Sequence, residues 1–148
     1  MVIPILKSMF VRDLDRLHFQ ISNFNTEPNI WRVDKGVTNS AGNLALHIVG
    51  NLNAFIGAEL GNTGYIRDRR AEFSSKNVPV DTLLKDIFNT KEMIIQVLDS
   101  MDESELELKY PIVVFKKPMT TKYFLIHLTT HLAYHLGQVN YYRRLFDA

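Results

Sequence analysis

The stretch HLTTHLAYHLGQ, His127 to Gln138, sets three of the chain's five histidines four residues apart within an apolar run. Four-residue spacing stacks side chains on one face of an α-helix, one turn above the next. Such a helix rises about 1.5 Å per residue, so His127 and His135 stand about 12 Å apart along its axis. One metal ion needs imidazole nitrogens about 2 Å away. The three rings therefore cannot share an ion on a regular helix, and only His127 with His131, or His131 with His135, can do so. At 100° per residue, Phe124, Leu128, Val139 and Tyr142 fall within about 80° of His131 on one side, with His135 about 40° round and inside that face. His127 falls about 40° to the other side, at its edge. The pair aimed most directly at a core is His131 with His135. The competing reading is two hydrogen-bonded core histidines, since a buried ring must find partners in either case. The spacing lacks the glutamate of HExxH, so a zinc peptidase is not expected.

Working outward, Thr120 or Thr121 can cap this last helix, which then runs to about Phe146. Residues 5–24 read as a first helix, with Leu6, Phe10, Leu14, Leu17, Ile21 and Phe24 in a 3.6-residue rhythm. Residues 25–39 are polar and broken by Pro28, a loop that Trp31 pins to the core. Ser40 caps a second helix to about Leu60, stopped by Gly61, Asn62 and Gly64. Its face of Leu44, His47, Asn51, Ala54, Phe55 and Ala58 is rich in small side chains, leaving room beside His47 for a ligand or a close helix. Residues 65–78 are charged and irregular, and the Arg67, Arg69, Arg70 cluster reads first as a solvated turn. Pro79 and Asp81 open a third helix to about Ser100. Residues 101–119 fit either a short strand-like pair or an extended crossover. The expected architecture is all-α, a four-helix bundle in one domain over residues 1–148, whose long connection between helices 3 and 4 permits a crossover.

Composition narrows the function. The 148 residues are 46% hydrophobic and 22% charged, with 17 basic against 16 acidic side chains and a net charge of +1. No basic block asks for nucleic acid, and no run approaches the roughly 18 apolar residues of a membrane span. The opening MVIPILKSMFVRDLDRL meets charge too early for a signal peptide, and Asp13 and Asp15 argue against a mitochondrial-type leader. The expected location is the cytoplasm. Cysteine is absent, so any metal must be held by nitrogen and oxygen, and any thiol must arrive on a substrate. A pair of histidines is not a full site, because a catalytic metal usually takes three protein ligands. The natural third is His47, and His18, at the flank of the first helix's stripe, is the weaker choice.

HLTTHLAYHLGQV and NLALHIVGNL, together with the overall layout, resemble the DinB-like superfamily of damage-inducible and YfiT-type four-helix bundles. TGYIRDRRAEF further resembles an uncharacterised bacterial subgroup of it. The resemblance implies a divalent metal held in the bundle by one histidine of the second helix and two, four apart, of the fourth, followed by Gly-Gln. Carried onto this chain, those are His47, His131 and His135, with Gly137 and Gln138. It also implies homodimers, and for some members transfer or isomerisation with low-molecular-weight thiols such as bacillithiol.

Three neutral imidazoles favour Zn²⁺, Ni²⁺, Fe²⁺ or Mn²⁺ over Mg²⁺ and Ca²⁺. The leading expectation is a metal-dependent enzyme acting on a small molecule or thiol, an S-transferase by the resemblance. The alternative is a metal-binding bundle without turnover. Gln138, one turn beyond His135, and Asn51, one turn beyond His47, are candidates for orienting the ligand rings.

Overall fold

The computed structural model describes residues 1–147. Helix α1 is Ile3–Ser22. Helix α2 is Ala41–Leu52, prolonged by a π-helical stretch Asn53–Ala58 and a closing turn Glu59–Gly61. A short α3, Arg69–Ser74, precedes α4, Val80–Asp99, and α5 is Thr121–Phe146. Two 3₁₀ turns, Glu27–Trp31 and Glu103–Glu107, lie in the connections.

The long helices follow their apolar periodicity. Leu6, Phe10, Leu14, Leu17 and Ile21 of α1 are all buried, and burying one such side chain stabilises by about 1.5–3 kcal/mol. Ser40 Oγ accepts the Asn43 N–H at 3.1 Å to cap α2. Thr120 Oγ1 accepts the Tyr123 N–H at 3.1 Å to cap α5. Asn62 ends α2 with φ of 49°, a left-handed conformation that asparagine tolerates. Helix α1 packs against α4 and α5, while α2 packs against α3, α4 and α5 and only slightly against α1. The result is an all-α bundle around one buried apolar cluster.

Three features depart from the sequence expectation. First, the charged segment after α2 is not irregular throughout, because it contains α3. Six residues cannot hold a helix alone. Asp68 caps it by accepting the Ala71 N–H at 3.0 Å. The buried Asn43 amide holds its far end, donating to the carbonyls of Glu72 at 3.0 Å and Ser75 at 2.8 Å. Second, the connection before α5 forms neither paired strands nor a plain extended run. One antiparallel bridge, Lys109 with Thr120, closes the loop, with Tyr110 N–H on Met119 O and Thr121 N–H on Leu108 O, both at 2.8 Å. The Tyr110 hydroxyl anchors this loop to α2 through the Phe55 carbonyl at 2.5 Å. Third, Ala41–Gly61 is long and apolar enough by length and composition to cross a membrane. Half of its most apolar window is buried inside the bundle, and His47, Asn43 and Asn51 lie buried along it, so it reads as a core helix.

Trp31 is buried and lies flat against α2 where Gly42 has no side chain. A Cβ there would meet three Trp31 ring atoms at 2.8 Å. Exchanging helical glycine for alanine ordinarily gains about 1 kcal/mol, whereas overpacking costs about 1–3 kcal/mol. Gly42→Ala should therefore lower the urea midpoint and shift the emission of the chain's single tryptophan. A stabilised variant with unchanged emission would show that this contact is not tight.

Candidate metal centre

Helices α2 and α5 carry three imidazoles to one point. His131 Nε2 lies 3.2 Å from His47 Nε2 and 3.1 Å from His135 Nε2. One donor nitrogen from each of the three rings lies within 4.8 Å of the others. His47 is buried and the other two are half-buried. His18 is elsewhere, in a cleft between α1 and α4. His127 flanks the cluster, with its ring edge-on to Phe115 at 4.7 Å and 6.4 Å from the His131 ring.

Each outer histidine is oriented from behind. His47 Nδ1–H donates to Glu72 Oε1 at 2.9 Å. His135 Nδ1–H donates to Gln138 Oε1 at 2.7 Å. A proton fixed on Nδ1 leaves the Nε2 lone pair facing inward in both rings. Two lone pairs then converge on His131 Nε2, and no arrangement of one proton satisfies both contacts. A cation does: nitrogens about 2.0–2.1 Å from a common ion and about 100° apart sit about 3.1–3.2 Å from each other. The donor set thus fits a divalent transition ion.

Glu72 is itself fixed. Arg67 grips it with Nε on Oε2 at 2.8 Å and Nη2 on Oε1 at 2.9 Å, a two-pronged ion pair. The carboxylate fits because Gly50 has no side chain, and a Cβ there would lie 2.0 Å from Glu72 Oε2. The Phe73 ring, 4.9 Å from that of His47, covers the imidazole. Sequence reasoning placed Arg67 in a solvated turn and left Glu72 within the charged, irregular stretch 65–78. Their five-residue spacing matches no helical face, and only α3 brings them to His47. The one local signal was Gly50, inside a helix where glycine is costly.

Asn51 makes no hydrogen bond to a histidine ring. Its Oδ1 is buried without a partner among the described residues. It lines a cavity of about 230 Å³ that His47 and His131 also border. The cluster is thus open on one side to a space for small molecules.

Over residues 7–148 the chain matches the family described as Protein of unknown function (DUF1572). The chain belongs to that family. DUF1572 is part of the broader DinB/YfiT-like metal-binding superfamily, and the buried histidine cluster of this DUF1572 chain accords with that membership. No curated protein matches the chain.

Burial, then the charges that His135, His47 and His127 would carry, push His131 down to about 4. Burial also lowers His47, partly offset by its bond to Glu72. Both rings are therefore neutral at pH 7 and ready to donate. In the unfolded chain a histidine takes a proton near pH 6.5, so between about 6.5 and 4 the unfolded state binds more protons. Stability of the metal-free protein should fall as pH drops through that window and level off below it. Urea midpoints between pH 7 and 4 check this, and His131→Phe should flatten the slope. An unchanged slope in the variant would place the titrating group elsewhere.

Glu72→Gln keeps the shape but replaces a carboxylate with an amide behind His47. Loss of such an outer partner typically weakens metal affinity about 10–100-fold. Competition with a chromophoric chelator should show that loss with the helical circular dichroism intact. Unaltered affinity would mean that Glu72 does not tune the site.

Proposed function

We propose that the protein is a divalent-metal-dependent enzyme whose ion is held by His47, His131 and His135. The observation that carries this is three inward-facing imidazole nitrogens beside a cavity of about 230 Å³. Structural zinc sites are closed by four protein ligands, whereas catalytic sites keep a position free. Three protein donors and an adjoining space favour the catalytic kind over a purely structural ion.

A divalent ion there would supply Lewis acidity, polarising a carbonyl or favouring the deprotonated form of water or a thiol. The chain's own groups do the rest. Glu72 and Gln138 hold the Nδ1 protons of His47 and His135 and keep their Nε2 atoms inward. Phe55, Phe124 and Leu128 wall the cavity with apolar surface, which strengthens electrostatic contacts inside it. Because the chain has no cysteine, a thiol would enter only as substrate. Within this reading a low-molecular-weight-thiol S-transferase is the specific activity to test first, on the strength of the resemblance to the DinB-like proteins. We also infer a diagonal crossing from α4 to α5, since each packs on both α1 and α2, and a cytoplasmic homodimer as the working form.

Metal analysis of protein purified without a histidine tag tests the core of the proposal. It should show about one Zn, Ni, Fe or Mn per chain, lost in His131→Ala and in His47→Ala. Conjugation of bacillithiol to an electrophilic bimane should then depend on the ion. No metal in the wild type, with no uptake on incubation, would make the histidines core groups. A full ion with no exchangeable position would leave a metal-binding bundle without turnover.

A further inference from the structure

The 230 Å³ cavity is smaller than the roughly 300–1,000 Å³ usual for drug-sized ligands. It does not stand alone. Phe115 and His127 line it and also line an outer groove of about 630 Å³. The two spaces differ in chemistry. The inner one offers the edge of the histidine cluster and Arg69. Arg67 is already committed to Glu72, but Arg69 stacks on Phe73 at 5.3 Å and has no carboxylate partner among the described residues. The outer groove is walled by Phe115, Pro118, Met119 and Tyr123, with Lys117 beside them. The bridge between Lys109 and Thr120 and the Tyr110 anchor on Phe55 hold the loop that carries Phe115 over this junction.

We infer that the site takes an anionic amphiphile: a carboxylate head in the inner cavity and an aliphatic tail running past Phe115 and His127 into the outer groove. The placement of the head rests on the metal-site reading, and that of the tail does not. The carboxylate complements Arg69 and the cation-binding cluster. The tail covers apolar surface that water otherwise wets.

The test is calorimetric titration with butanoate, hexanoate and octanoate, and with 1-octanol as the head-group control, on zinc-loaded and metal-stripped protein. Affinity should rise about fourfold per added methylene, in the stripped protein as well, though from a weaker start. 1-Octanol should bind more weakly than octanoate, and Arg69→Ala should narrow that difference. Phe115→Ser, on a half-exposed loop side chain outside the buried core, should flatten the chain-length series. A flat series in wild type, or a slope untouched by Phe115→Ser, would overturn the inference even if zinc binds. A normal series on protein that takes up no zinc would uphold the tail groove and overturn only the metal-site reading.

Discussion

The buried carboxylate of Glu72 is the constraint on which the site depends. An ionised group that is only 6% exposed must be paired and hydrogen-bonded to be tolerated. Arg67 and His47 provide both, and each is fixed in turn. Removing one member of a buried pair leaves an uncompensated charge at a cost of about 3–5 kcal/mol, so the three side chains move as a unit. That unit decides where α3 lies, why Gly50 can have no Cβ, and which tautomer His47 adopts. Asn43 completes the arrangement by tying the end of α3 to the first turn of α2. A helix of six residues becomes structural only through these contacts.

The same network sets the electrostatics. The carboxylate stands one bond behind the imidazole and does not reach the cluster, so the three converging donors are all uncharged. Arg67 offsets the charge of Glu72 at 2.8 Å. A divalent ion at this point would keep nearly its full charge, in contrast to sites where carboxylate or thiolate ligands spread it. Gln138 performs the matching task for His135 without any charge. The two sides of the cluster are therefore unequal, with a polarisable charged partner behind α2 and a neutral amide on α5.

How much of this was legible depends on range. Contacts within one helix were readable: the α1 stripe, the Ser40 and Thr120 caps, the inward pairing of His131 with His135, and Gln138 three residues beyond His135. His47 followed from the small residues on its helix face and from the resemblance, not from spacing to the other two histidines. The α3 helix was not readable, because its own propensity is too weak and its stability comes from Asn43, about thirty positions earlier. Arg67 and Glu72 looked like surface charge for the same reason. Asn51 was readable as a neighbour of His47, but its lack of a partner is a property of the assembled cavity alone.

The π-helical stretch Asn53–Ala58 shows how fold and site share one helix. A wider turn leaves backbone carbonyls less tightly committed, and such stretches occur often at functional sites. Here the Phe55 carbonyl accepts the Tyr110 hydroxyl, while the Phe55 ring packs edge-on to Phe124 at 5.0 Å. Asn53 crosses to Thr90 on α4 at 2.9 Å, holding the irregular turn against the bundle. One helix thus presents His47 and Asn51 from its regular half and fixes the cavity's loop wall from its irregular half. A single core helix therefore bears both the ligand face and a wall of the space beside it.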